Sequence, residues 1–431
     1  MLQRIFKLAE HGTDVRTEVV AGLTTFLTMS YIIFVNPEIL GGTGMDRGAV
    51  FTATCLAAAF GSLIMAFVAN YPVGMAPGMG LNAFFAFTVV GAMGYGWQQA
   101  LGAVFISGCI FVVLSATGIR RWLIAGIPRS LRCSIAAGIG LFLAIIALGN
   151  AGIVVADPVT KVALGNLHSA PALFAMGGFF VIAVLDALKV RGAILIGILF
   201  STLGSILLGY TPFHGVFSKP PSLAPTLFQL DIPGALHHGF FHVVLVFVLV
   251  EVFDATGTLM GLTHRAQLSQ GPHKARLGRA LFADSAAILA GSVLGTSSTT
   301  AYIESAAGVE AGGRTGLTAL VIALLFLAAL VLSPLAAAVP SYATAPALLY
   351  VAGLMLRELV DVHWDDHTEA VPAALTALVM PFSYSIANGL AFGFISYVVL
   401  KLFTGRAREV HGAAWVVAAL FLVRYVLFTG T

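Results

Sequence analysis

Mostly apolar runs of about 17–25 residues, the length that crosses hydrocarbon as a helix, follow one another along almost the whole chain. The first half predicts seven spans, near 18–40, 48–69, 74–91, 98–117, 130–150, 171–188 and 192–210. A polar connector carrying Lys219-Pro220-Pro221 follows. The second half predicts seven more, near 237–262, 279–295, 297–311, 315–338, 343–358, 368–382 and 384–403. Seven is odd, so two like halves in tandem enter the membrane with opposite orientation, as an inverted repeat. The expected fold is an all-α polytopic membrane protein with 14 transmembrane segments in a 7+7 repeat. Its first repeat is 1–215, its connector 216–236, its second repeat 237–405, and a C-terminal apolar segment covers 406–431.

Two stretches interrupt the pattern, one in each half. Gly74-Met75-Ala76-Pro77-Gly78-Met79-Gly80-Leu81-Asn82-Ala83-Phe84-Phe85 breaks span three. The hydroxyl-rich Gly295-Thr296-Ser297-Ser298-Thr299-Thr300-Ala301-Tyr302-Ile303-Glu304-Ser305 breaks span ten. Irregular backbone at membrane depth persists only where protein or a water-filled cavity satisfies its polar groups. A pair of such breaks at corresponding places in two halves points to a transporter's binding site.

Composition sets the class independently. Of 431 residues, 59% are hydrophobic and 10% charged, against about 25% charged in a soluble domain; mean hydropathy is +0.97. The net charge of +3 is no nucleic-acid signature, because Lys and Arg stand in short clusters between apolar runs. With a cytoplasmic N-terminus the inside loops hold Arg120, Arg121, Arg129, Arg132, Lys189, Arg191, Arg265, Lys274, Arg276, Arg279 and Arg314. The outside loops hold Arg47, Lys161 and Lys219, so positive charge lies inside. No cleavable signal pattern opens the chain, and the expected home is a bacterial inner membrane. Cys55, Cys109 and Cys133 form no disulfide or zinc spacing. The segment Ala413–Phe428 is long enough either to cross or to lie in the interface, held by Trp415, Arg424 and Tyr425.

Four carboxylates fall within apolar spans: Glu251 and Asp254 in span eight, Asp284 in span nine and Glu304 in span ten. An acid at the bilayer centre costs at least about 2.5–3.5 kcal/mol to insert, so a buried one faces a cavity or a partner. Glu251 and Asp254 share a helix face, with Thr258 one turn on. Asp254, flanked by Gly257 and Thr258, is the ligand candidate, and Glu251 stands behind it. Asp284 either pairs with Arg276 or Arg279 or relays a proton. Glu304 ends the hydroxyl-rich break, and Asn82, with donor and acceptor together, takes the corresponding place in span three. Phe84 and Phe85 offer stacking surfaces for a flat ligand. In the run His237-His238-Gly239-Phe240-Phe241-His242, His238 and His242 stand at i, i+4 as a metal pair would, but no third ligand is near and they read as interfacial histidines, while Gly78-Met79-Gly80 lacks the βαβ context of a nucleotide loop. A membrane hydrolase or metalloenzyme would need that histidine cluster, so neither metal nor cofactor is expected.

These motifs are familiar. The stretches 74–85, Glu251-Val252-Phe253-Asp254-Ala255-Thr256-Gly257-Thr258-Leu259 and 295–316 resemble the AzgA-like purine permeases of the nucleobase–ascorbate transporter superfamily, as do 24–32 and 380–389. The resemblance runs from about residue 3 to 428. It implies core and gate domains, with short strands followed by half-helices in spans three and ten. By similarity Asp254 and Glu304 contact the base, Asn82 matches the family's span-three Asn, and Asp284 its span-nine acid. The Ile303 N–H, and with it that of Phe85, would donate to a ligand acceptor. The family implies dimers built through gate domains and uptake of adenine, guanine or hypoxanthine coupled to protons. Glu251 stands where Asp is more usual. An anion carrier of the sulfate or bicarbonate type is the alternative, but it would present positive half-helix ends without opposing acids.

Overall fold

The computed structural model describes residues 2–213, 215–236, 241–265 and 274–428. The chain is mostly helical. Nine helices among the described residues are long and apolar enough to cross a membrane, from Val15–Gly41 and Arg47–Ala69 through to Ile386–Phe403. Shorter apolar helices cover Met79–Ala92, Ala193–Leu207, Val243–Val252 and Gly412–Val426. Helix starts coincide with side chains that accept from otherwise unpaired first-turn amides. Asp14, Asp46, Ser169, Thr315, Asp366 and Ser385 each cap one.

Several elements depart from uniform spans. Span one is two helices, Val15–Met29 and Ile32–Gly41, with Ser30 and Tyr31 at the joint. Span two ends in a wide π turn, Met65–Ala69, and most of Phe84–Ala92 is π-helical as well. Such turns mark places where a helix is bent to serve a site. Four short strands occur among the described residues, two of them within spans three and ten and two outside those spans. Two of them, β1 (Met75–Pro77) and β4 (Thr299–Ala301), pair with each other across the two halves of the chain. The other two, β2 (Val154–Asp157) and β3 (Lys161–Leu164), form a hairpin after span five. Its turn is tied by Asp157, which accepts from the amides of Val159 and Thr160 at 2.8 and 2.7 Å.

The helices pack in two groups. Val15–Met29, Arg47–Ile64, Trp97–Thr117, Lys274–Leu294 and Gly316–Ala329 contact mainly one another and enclose the β1–β4 pair. Arg129–Asn150, Ala170–Ala187, Ala193–Leu207, Ser341–Leu356, His367–Phe382 and Ile386–Phe403 form the second group. The outer surface is apolar: Val113, Phe180, Leu207 and Phe403 all stand exposed. Such a girdle is suited to lipid, whose tails cover it without cost.

Candidate functional site

The site is built around two three-residue strands. Met75 faces Ala301, Ala76 faces Thr300, and Pro77 faces Thr299 in antiparallel register. Two further backbone bonds extend the ribbon: Gly78 N–H donates to the Ser298 carbonyl at 2.9 Å and Tyr302 N–H to that of Gly74 at 3.0 Å. The Tyr302 hydroxyl donates to the Pro77 carbonyl at 2.6 Å. The chain turns into β4 at Gly295, whose φ of +90° only glycine adopts without strain; a Cβ there would also overlap Thr226.

The two crossings answer each other. Asn82, beyond β1, accepts a hydrogen bond from Ser297, just before β4. Ser305, beyond β4, accepts from the amide of Gly74, just before β1, at 3.0 Å. Asn82 is fully buried, and its Nδ2 has no partner among the described residues. Glu304 is partly exposed and occupies the cap of the short helix Ser305–Glu310. Its Oε1 accepts from the Tyr31 hydroxyl at 2.7 Å, and its carbonyl from Thr28 at 3.4 Å. Gly308 lets this helix lie against span one, since a Cβ would overlap Thr25 and the Ala21 carbonyl. The expected correspondence of Asn82 with Glu304 does not hold. Glu304 precedes its helix, as Gly78 does in the first half, whereas Asn82 lies inside the helix Met79–Ala83.

The span-eight acids divide. Glu251 is buried and accepts from Ser107 of span four at 3.1 Å, while its Oε2 has no partner among the described residues. Thr258 is buried two turns further on. The side chain of Asp254 lies outside the described residues, as do those of His237, His238 and His242. Asp284 is fully buried and takes neither of its expected partners. Its Oδ2 pairs with Arg120 at 3.4 Å, and its Oδ1 accepts from the Thr300 hydroxyl at 3.0 Å and the Ala301 amide at 3.1 Å. Arg276 instead donates to the Asn70 carbonyl at 2.8 Å.

The remaining candidates are placed as follows. Phe84 is fully buried with its ring edge-on to Phe247, centroids 5.0 Å apart, and Phe85 is buried in the same apolar cluster. Phe85 lies well past the first turn of Met79–Ala92. Its amide is therefore not among the unpaired first-turn donors of that helix. Ile303 sits in the turn between β4 and the cap, half-exposed, and its N–H meets no acceptor among the described residues.

Sequence reasoning missed four contributors. Arg120 reads as a topology charge yet is 1% exposed. Tyr31 and Ser107 are single hydroxyls within apolar runs. Glu18 is buried and accepts from the amides of Arg314, Thr315 and Thr318, capping the helix that follows the site.

The fold and this crossing are those of a membrane carrier. The chain belongs to the Permease family, whose model matches residues 16–426. Within it the chain stands in the AzgA-like branch. It is 51% identical to the adenine permease AdeP of Escherichia coli, over 99% of this chain and 96% of that one. It is 44% identical to the guanine/hypoxanthine permease PbuG of Bacillus subtilis, over 99% of both chains. In fold it is similar to the transmembrane domain of the cyanobacterial bicarbonate transporter BicA, with TM-score 0.62 at 15% identity over 95% of this chain and 97% of that one. Murine Slc26a9 in its inward-facing state gives TM-score 0.65 at 12% identity, over 90% of this chain and 68% of that one.

Proposed function

We propose that the chain imports purine nucleobases, namely adenine, guanine or hypoxanthine, across a bacterial inner membrane together with protons. One observation carries the reading. A partly exposed carboxylate, Glu304, and a buried amide with a free N–H, Asn82, flank one strand crossing in a chain whose relatives are named purine permeases. A neutral purine presents N–H donors beside ring-nitrogen or carbonyl acceptors. Carboxylates at Glu304 and Asp254 accept from the donors, while the Ile303 N–H and the Asn82 amide meet the acceptors.

The same reading assigns fourteen spans to two inverted repeats, 1–215 and 237–405, joined at 216–236 and followed by 406–431. The helices around β1 and β4 are the moving core, and the second packed group is the gate, through which two copies pair. Proton coupling belongs to Asp254 or Asp284, with Glu251 and Thr258 in support. Asp284 acts through the strand it holds. No cofactor is required.

Uptake of radiolabelled adenine, guanine and hypoxanthine, each competed by the others, tests the reading at two pH values with and without sodium. Accumulation of at least one base that rises as external pH falls and ignores sodium is expected. Failure to accumulate any of the three ends it. The anion-carrier alternative rests on a shared fold with BicA and Slc26a9 and would show as bicarbonate or sulfate flux instead. The acids at the crossing oppose it, since a carboxylate repels the anion that a half-helix terminus attracts.

A further inference from the structure

A two-stranded ribbon leaves each strand one outer edge of unpaired backbone groups, and at membrane depth those groups must find partners. On β1 the edge is closed by a neutral side chain: Met75 N–H donates to Ser62 Oγ at 3.0 Å. On β4 it is closed by a charge, because Asp284 accepts from the Ala301 amide and the Thr300 hydroxyl. That charge is balanced by Arg120, which leaves span four at the helix Ile119–Ala125. Arg120 is itself held on several sides. It donates to the Leu281 carbonyl at 3.2 Å and to Ser115 at 3.4 Å, and its guanidinium lies 4.1 Å from the centroid of the Phe111 ring.

A buried ion pair is a poor source of stability, since an apolar pair of the same shape serves as well or better. What the pair supplies is direction. A planar guanidinium fixed by several acceptors orients a carboxylate as a flexible ammonium does not. A three-residue strand pair has little stability of its own, so the position of β4 depends on what grips its edge. Glu304 follows Ala301 by one short turn. We propose that Arg120 is a positioning residue of the site: it holds Asp284, Asp284 holds the outer edge of β4, and that edge places the Ile303 N–H and the Glu304 carboxylate for the substrate.

The transport arm of the test rests on the purine reading; the exchange arm does not. Hydrogen–deuterium exchange over 299–303 is measured without substrate in wild type, Arg120→Gln and the double variant Arg120→Gln/Asp284→Asn. Arg120→Gln leaves an unpaired buried carboxylate and should speed exchange there about tenfold or more. The double variant removes both charges but keeps the Oδ1 acceptor, and should restore exchange. In uptake of whichever base wild type prefers, Arg120→Gln should raise KM about tenfold with Vmax per folded carrier within about threefold, and the double variant should recover. Arg120→Lys keeps the charge without the fork and should fall between. Wild-type exchange and KM in Arg120→Gln overturn the proposal; should that variant not accumulate as folded protein, the same result in Arg120→Lys overturns it. A wild type that takes up no base sinks the purine reading alone, and exchange still decides the role of Arg120.

Discussion

The two strands at the crossing have matching register but opposite chemistry. Around β1 everything is neutral: Ser62 closes the edge, Gly78 caps the following helix, and Asn82 is fully buried. Around β4 charge appears twice: Asp284 with Arg120 closes the edge, and Glu304 takes the cap. The difference teaches a division of labour set by solvation. A neutral amide is cheaper to bury than a charge, and Ser297 satisfies the oxygen of Asn82. The acid at the cap, Glu304, is left partly exposed, and the acid that serves the backbone is given a permanent counter-ion.

The comparison can be broken from several directions. Glu304→Ala should have the largest effect on uptake: losing a charge-assisted acceptor costs about 1.5–3 kcal/mol, which raises KM for the preferred base roughly 10- to 150-fold. Unchanged affinity in equilibrium binding would remove Glu304 from the site. Next, Asp284→Ala and Ser62→Ala should differ sharply in thermal unfolding. The first strands a buried guanidinium, a loss of about 3–5 kcal/mol, while the second loses one neutral hydrogen bond, about 1 kcal/mol. Equal losses would show that the charged edge is no different from the neutral one. Tyr31→Phe should raise KM about fivefold with unfolding unchanged, because it removes only the hydroxyl that orients Glu304. A KM matching wild type would detach Tyr31 from recognition.

The smallest effect lies away from the crossing, on the loops beside the helix Ile386–Phe403. Bonds from Arg406 and Lys401 hold the Glu409 carboxyl down to about 2. A depressed acid contributes stability that is complete above its ordinary value of 4.5 and fades as pH falls toward about 2. The Tm difference between wild type and Glu409→Gln should therefore be flat from pH 8 to about 5 and shrink below about 4.5. A difference that grows on acidification would contradict this ion network.

Much of this was legible in the chain. Apolar runs located the long helices, and the breaks at 74–85 and 295–305 located the strand crossing, because polar, small-residue stretches at membrane depth need partners to satisfy them. The buried acids announced themselves by their cost. What escaped has physical reasons too. Arg120 looked like a topology charge because nothing in its local sequence shows that its side chain reaches Leu281 and Asp284 of span nine. Tyr31, Ser62 and Ser107 carry one hydroxyl each, too little to disturb an apolar run. The correspondence of Asn82 with Glu304 misled because Gly78 leads directly from β1 into a helix, whereas β4 turns through Tyr302 and Ile303 before its cap. The β2–β3 hairpin depends on Lys161 adopting a φ of +70°, which no spacing of apolar residues encodes.

The strand at 75–77 finds its partner only when residues 299–301 exist, roughly 220 residues later. At about 5–20 residues per second, the ribosome takes some ten to forty seconds to deliver it. Throughout that interval the first half sits in the bilayer with an open strand that has nothing to pair with. The crossing is thus a late event in the protein's birth, closed only when the second half arrives beside the first. Until then the nascent chain is a membrane protein with a wound, and whatever shields β1 in those seconds is as necessary to the carrier as any residue that meets its cargo.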